Sequence, residues 1–384
     1  MTSWVRRKLG ELEGVKKARL LSTVAIIAVL VATLWPLSPF PKNRVTWLPG
    51  TNGLKFERPG LVVGTRPMTP QQSGSSQSRT IELMLRPAGI KSLGTILAFY
   101  SSSHPRQSLQ VRQWRDGLLV THDARVESDR TRTVKFDVDH VFHRGELVFL
   151  TVSSGPHGTS VYVDGQLAQS VPTFNISSSD LYGEVILGIS PEGNEPWKGE
   201  VKGFAIYASE TTPEVASQHY HGWTHVDNDG SADLDDAMAR YTFSDPAGTV
   251  IKNEVASGPD LTIPAIFSVP HKAFLESPMR EFRPSRSYAY DLATNIAGFV
   301  PLGMVVFSYL AWTRTRWKAM LVATLFCGAL SFSIEVMQYC VPSRGSGITD
   351  IITNTLGAGL GAMLVQWRVV RDRLSRARIV PSVG

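Results

Sequence analysis

Two kinds of hydrophobic pattern divide the chain. Between residues 45 and 210 apolar and polar positions alternate in short runs, as at 80–86, 109–112 and 134–138. A period of two puts every second side chain on one face of a strand. Further strands are expected at 183–188 and 199–207. Asp164-Gly165, set between the runs Ser160–Val163 and Gln166-Leu167, has the residues of a two-residue type I′ hairpin. Evenly spaced short strands without intervening helices predict an antiparallel sandwich. Thr211 and Glu214, with Pro213 in the first turn, form a capping box for a short helix that closes this region.

The second pattern is unbroken. Stretches 20–41, 292–313, 319–343 and 351–367 contain one charged side chain between them, Glu335. Crossing a bilayer takes about 20 apolar residues. The pattern therefore predicts transmembrane helices at 20–41, 292–313, 319–341 and 350–367. The last is short, and Arg368 at its end can snorkel to headgroups; an internal core helix is the alternative there. For 20–41 the alternative is a cleaved signal peptide. The run is long for that, and Trp35-Pro36-Leu37 is no small-residue cleavage site, so a retained anchor is expected. The fold class is then multi-domain, a four-helix integral membrane domain plus an all-β sandwich ectodomain, which the resemblance given below implies is a jelly roll.

Charge orients these helices. Residues 1–19 carry six basic and two acidic side chains, the loop with Arg314, Arg316 and Lys318 is +3, and the 368–384 tail has five Arg and one Asp. All three segments fall on one side if the chain crosses four times, so both termini are expected in the cytoplasm of a multi-pass cell-membrane protein and residues 42–291 outside. The net charge of +6 is thus a topology signal, and no nucleic-acid partner is expected. Cys327 and Cys340, 13 positions apart on one helix, cannot bridge each other, so the outer domain must stand on its own core.

Residues 223–290 form a membrane-proximal segment with one metal candidate. From His225 a run approximates a twelve-residue calcium loop, placing Asp227, Asp229, Asp233 and Asp236 at positions 3, 5, 9 and 12 and Gly230 at the turn. Position 1 is His, so Ca²⁺ stands beside an acidic surface turn as the alternative. No other cofactor is expected. Among Glu192, Glu195 and Glu200 the neighbouring Pro191, Gly193 and Pro196 indicate a solvated loop rather than the paired carboxylates of a glycosidase.

The candidate site lies at the ends of the last three helices. Glu335 stands about 24 Å from the inner end of its helix at 1.5 Å per residue. Gln338 follows at i+3, Asp350 and Asn354 are spaced i, i+4, Asn295 opens the second membrane helix, and Arg344 lies in the loop between the third and fourth. These six polar groups are expected at one level, the outer leaflet. An intramembrane carboxylate is by default a functional candidate. A Glu335–Arg344 ion pair, with amide glue from Asn and Gln, is the packing alternative. Gly357 and Gly361 form a small-residue stripe, and Pro301 a kink. In a catalytic reading Glu335 is general acid or base, Arg344 holds phosphate or carboxylate and Asp350 assists; Asn295, Gln338 and Asn354 bind ligand.

Two resemblances sharpen these expectations. The order Tyr162-Val163-Asp164-Gly165, then Gly183–Gly188, Trp197 and Gly199 before the strand to Tyr207, resembles a laminin G-like, concanavalin A-like jelly roll over 45–210. It implies binding of glycans or proteins by a domain expected to span 45–222. The pattern Asn295-x-x-x-Phe299-x-Pro301-x-Gly303, Glu335-x-x-Gln338, Pro342-x-Arg344, Asp350-x-x-x-Asn354-x-x-Gly357-x-x-x-Gly361 resembles the VanZ-like family of membrane proteins over 291–365. It implies that the six polar residues are a family signature, and a link to teicoplanin-type glycopeptide resistance and the cell envelope. The partners expected are a membrane lipid or lipid-linked envelope precursor and a surface glycan or protein. An intramembrane enzyme acting on such a precursor, and an adhesion module with inert helices, are the alternatives.

Overall fold

The computed structural model describes residues 2–36, 38–69, 78–101, 108–125, 131–224, 236–244, 247–255, 258–282 and 284–377. The described helices are α1 (Thr2–Leu34), α2 (Pro213–Thr224), α3 (Pro278–Glu281), α4 (Arg286–Leu310), α5 (Arg316–Tyr339) and α6 (Ile348–Ala377). The strands are β1 (Val45–Trp47), β2 (Leu54–Phe56), β3 (Val62–Gly64), β4 (Arg79–Pro87), β5 (Leu93–Tyr100), β6 (Ser108–Trp114), β7 (Gly117–Arg125), β8 (Thr131–Val138), β9 (Val148–Gly155), β10 (Gly158–Val163), β11 (Gln166–Val171), β12 (Glu184–Leu187), β13 (Gly199–Tyr207), β14 (Ala237–Tyr241), β15 (Val250–Ile251) and β16 (Leu261–Thr262). They form two compact units, one of Phe40–His271 and one of Met1–Pro39 with Lys272–Gly384.

The first unit is a sandwich of two antiparallel sheets. One runs β1-β2-β13-β4-β9-β10-β11, with β14 also on β13, and the other β15-β16-β3-β12-β5-β6-β7-β8. Alternation explains the core: Ile81, Leu83 and Leu85 of β4 and Leu109 and Val111 of β6 are buried in one cluster. Asp164 and Gly165 have φ of 49° and 75°, the two positive values a type I′ turn requires, and Val163 pairs with Gln166 across it. Trp197 is fully buried, and its Nε1 donates to Gln113 Oε1 at 2.9 Å while Gln113 donates to the carbonyls of Gly89 and Arg115. Burying an indole is tolerated because its one polar group is satisfied.

The sandwich reaches further along the chain than the expected limit of 222. β2 and β14 share one edge of β13, meeting residues 199–201 and 204–207 in turn, while β15 and β16 extend the other sheet beyond β3. The strands involved are two to five residues long, too short for a visible alternation. The helix cap also differs from expectation. Thr212, not Thr211, accepts from Val215 N, while Thr211 N donates to Ser153 Oγ. The fully buried Glu82 then fastens α2 to β4: His219 Nδ1 lies 2.7 Å from one carboxylate oxygen and Trp223 Nε1 donates to the other at 3.2 Å. A buried carboxylate needs such partners.

In the second unit four helical segments, Glu13–Leu34, Arg286–Leu310, Arg316–Tyr339 and Ile348–Arg368, are long and apolar enough to cross a membrane. α1 stops at Leu34, short of the apolar run, because Trp35 precedes Pro36 and proline disfavours helical backbone in the residue before it. α4 starts at Arg286, earlier than the apolar run, because Ser285 Oγ accepts from Tyr288 N as an N-cap. α4 and α6 approach closely through small residues. A Cβ added at Gly357 would lie 2.2 Å from Ile296 O, and one at Gly361 2.1 Å from Val300 O. Leu302, Val306, Ala323, Cys327, Ala358 and Ala362 fill the centre of the bundle.

Candidate functional site

The site is built where α4 and α6 begin and α5 ends. The last turn of α5 has no basic residue, and its terminal carbonyls need donors. Lys272 supplies them, its Nζ donating to the carbonyls of Gln338, Tyr339 and Val341 at 2.7–2.8 Å. Burial pushes this ammonium below the usual lysine range. Downstream, Glu276 N donates to Ser346 O and Ile348 N to Glu276 O, a parallel bridge that pins the loop between α5 and α6. At the first turn of α6, Thr349 N donates to Glu281 Oε2 at 3.2 Å, placing a carboxylate at the positive end of the helix.

The six polar residues are brought to this end of the bundle with separate partners. Asn295 Nδ2 donates to Asp350 Oδ1 at 2.7 Å, tying α4 to α6. Asn354 Nδ2 donates to Ser331 Oγ at 2.9 Å, tying α6 to α5. Gln338 Nε2 donates to Thr33 O of α1 at 2.9 Å, and Arg344 Nη2 donates to Trp35 O. Glu335, 1% exposed, accepts from Gly347 N at 2.9 Å. The Glu335–Arg344 ion pair weighed from the sequence is therefore not formed. Each group instead satisfies a backbone atom or side chain of another segment. The loop backbone, invisible to a motif, outcompetes the pair. Asn354 Oδ1, Thr349 Oγ1 and Ser346 Oγ have no hydrogen-bond partner, although the residues are 5%, 9% and 5% exposed.

Five of the six line one groove of about 590 Å³. Ala25, Ala28, Val29 and Ala32 of α1 and Gly298, Phe299, Pro301 and Leu302 of α4 make its apolar wall, and Asn295, Gln338, Arg344, Asp350 and Asn354 its polar end. Glu335 is not among the lining residues; it holds the turn that precedes α6. Sequence reasoning missed Lys272, Glu276 and Glu281. The signal available was the uncapped end of α5, a helix with neither a C-terminal cation nor a following glycine.

The sandwich has its own cavity, of about 380 Å³, at the ends of β3, β5 and β12. The Tyr100 and His271 rings lie 3.7 Å apart between centroids, and His271 Nε2 is 3.1 Å from Glu184 Oε2. Arg66, Ser101 and Tyr182 complete the wall. Gly183 enters it at φ 116°, where a Cβ would lie 2.1 Å from Tyr100 O, so only glycine fits. Of the calcium candidates, Asp227, Asp229 and Asp233 lie outside the described residues and Asp236 is exposed. Among the described residues no three His, Cys, Asp or Glu side chains are placed to hold a metal ion. Glu195 pairs with Arg112, and Glu200 with Arg86 at 2.8 Å.

No match was found among curated proteins. Among solved structures, a Bacteroides ovatus protein described as carbohydrate-binding is similar at 15% identity and a TM-score of 0.39, over 56% of this chain and 59% of that one. The CBM40 of a Ruminococcus gnavus IT-sialidase, solved with α2,3-sialyllactose, is similar at 11% identity and a TM-score of 0.32, over 44% and 97%. A pentraxin from Limulus polyphemus is similar at 11% identity and a TM-score of 0.35, over 58% and 93%. The chain thus spans under two thirds of the Bacteroides ovatus protein. Residues 65–216 match the family model of the concanavalin A-like lectin/glucanases superfamily, and residues 243–370 that of VanZ/LLP1. The chain thus joins a segment that matches the concanavalin A-like superfamily to one that matches VanZ/LLP1, with four helical segments long and apolar enough to cross a membrane.

Proposed function

We propose that the protein is a multi-pass cell-envelope component whose helical unit binds a membrane lipid or lipid-linked precursor and whose sandwich recognises a glycan. The observation that carries the lipid reading is the groove, with an apolar wall on α1 and α4 running into five polar side chains. Hydrocarbon gains about 25 cal/mol per Å² of apolar surface buried between protein and water. Within a bilayer that gain is small, so affinity would rest on the polar end, where Asn295, Asp350, Asn354 and Arg344 meet a headgroup. The basic termini and the basic loop after α4 support a cytoplasmic side for them, and with it an outer-leaflet position for the polar end. Glu335 favours binding over catalysis, since its carboxylate is spent on Gly347 N away from the groove wall. A role in protection against envelope-directed glycopeptides would follow from holding such a lipid.

The lipid reading is tested with the full chain in nanodiscs containing a phospholipid that carries a photoactivatable diazirine on its acyl chain. Label is expected on peptides bearing Ala28–Thr33 and Asn295–Leu302, and Ala28→Trp should remove it. Label confined to the outward-facing Leu321, Leu325 and Phe332 of α5 would defeat it. The glycan reading is supported by the Tyr100, Tyr182 and His271 rings beside Arg66 and Glu184, because sugars stack on aromatic faces and hydrogen-bond to neighbouring polar groups. Tyr182→Ala should abolish glycan-array binding by the full chain; unchanged binding would sink that assignment.

A further inference from the structure

The groove has a neighbour. A second cavity of about 450 Å³ adjoins it across Thr294, Asn295 and Asp350, which line both. Glu276, Glu281, Asp291 and Asp350 face this second space, and among the described residues no basic side chain lines it. Lys272 is committed to the carbonyls ending α5. Four carboxylates around one space make its lining acidic, which favours a cation.

Two further observations point to a ligand. Thr349 Oγ1, in a residue 9% exposed, lines the acidic cavity with no partner, and Asn354 Oδ1, in a residue 5% exposed, lines the groove with no partner. Both can accept a hydrogen bond, and a buried acceptor left unsatisfied is costly. Asn354 Oδ1 lacks a donor, and the Thr349 hydroxyl, which can accept or donate, lacks any partner. A metal ion does not fit, since no three of these carboxylates are close enough together to hold one. A larger cation with N–H groups does. Arg344, at the polar end of the groove, has an unpartnered Nε, and a guanidinium is suited to a phosphate.

We propose that the ligand of the groove is a phosphate-linked lipid with a free primary ammonium. Its hydrocarbon lies along α1 and α4, its phosphate meets Arg344, and its ammonium sits among Glu281, Asp291 and Asp350. The proposal rests on the lipid reading above and adds the headgroup class. The sequence reading gave Arg344 a phosphate or carboxylate but provided nothing for a cation, because Glu281 and Asp291 lie outside the motif residues it singled out.

The test is native mass spectrometry of the full chain with equimolar phosphatidylethanolamine, its N-acetylated form and phosphatidylglycerol, all with the same acyl chains. Phosphatidylethanolamine should be retained about tenfold over both others, the ratio that 1.4 kcal/mol represents. Asp291→Asn, at an exposed position, and Glu281→Gln, which keeps the acceptor for Thr349 N, should each lower that preference while total lipid retained stays constant. Soluble phosphoethanolamine at the same concentration should not displace the lipid. Equal retention of the native and N-acetylated lipids, preference for phosphatidylglycerol, or displacement by phosphoethanolamine would overturn the headgroup assignment and leave the groove reading standing. Retention of no lipid would overturn both.

Discussion

Replacing Gly361 by alanine tests the packing that shapes the groove. The added Cβ would lie 2.1 Å from Val300 O and 3.0 Å from Met304 N, both backbone atoms of α4. An ordinary Cβ contact begins near 3.4 Å, so α4 and α6 must separate locally by roughly 1 Å, and no side-chain rotation can relieve the clash. Forced overpacking of this kind costs about 1–3 kcal/mol. The same helix pair is joined by the 2.7 Å bond from Asn295 to Asp350, which a shift of that size would break. Gly298 is the internal control: nothing lies within 4 Å of its added Cβ, and Gly→Ala in a helix gains up to about 1 kcal/mol. Unfolding titrations of the full chain in mixed micelles should show Gly361→Ala destabilised by about 1–3 kcal/mol and Gly298→Ala unchanged or more stable. Equal stability of Gly361→Ala and the parent chain would refute the close approach.

Lys272→Met should lower stability by about 1.5–3 kcal/mol in the same titration, the worth of a charged hydrogen-bond donor, with hydrogen exchange rising first in residues 338–347; unchanged exchange there would deny the cap. Gln113→Leu strands the indole N–H of Trp197 in the core and should cost about 1–3 kcal/mol, read from thermal unfolding followed by near-ultraviolet circular dichroism; a neutral result would mean the bond contributes nothing. The hydrogen bond from Lys252 Nζ to Asp260, with a second from Asn253 N, holds the Asp260 carboxyl below its usual range. A depressed carboxylate stabilises above its unfolded pKa of about 3.9 and loses that contribution as pH falls through the lower folded value. Asp260→Asn should therefore flatten the loss of stability below about pH 4; an unchanged acid limb would contradict the pairing.

The fold was legible wherever one local rule dominated. Alternation marked β4, β6 and β8, Asp164-Gly165 marked its hairpin, and unbroken apolar runs marked four helices. Element ends were less so, because caps decide them: Pro36 cuts α1 short and Ser285 starts α4 early, both outside or against the apolar pattern. β14, β15 and β16 were missed because strands so short carry no period; β14 and β16 are held by β13 and β3, contacts distant in sequence, and β15 by β16. In the site, the i, i+4 spacing of Asp350 and Asn354 put them on one face of α6, and the structure brings Asn295 to Asp350. It could not say that Glu335 turns to Gly347 while Gln338 turns to Thr33. Nor did it reveal Lys272, Glu276 and Glu281, whose roles come from a segment that folds onto the loop between α5 and α6.

The central claim is that the groove between α1 and α4 holds a lipid whose headgroup meets the polar ends of α4 and α6. Electron cryomicroscopy of the full chain in nanodiscs of its native lipids tests this most directly. Density is expected to run continuously from Ala25 and Phe299 along the apolar wall to Asn295, Asp350 and Arg344, with a branch toward Glu281 and Asp291. A groove filled by its own side chains, or lipid density on the outer faces of the helices with none reaching Asn295, would contradict it.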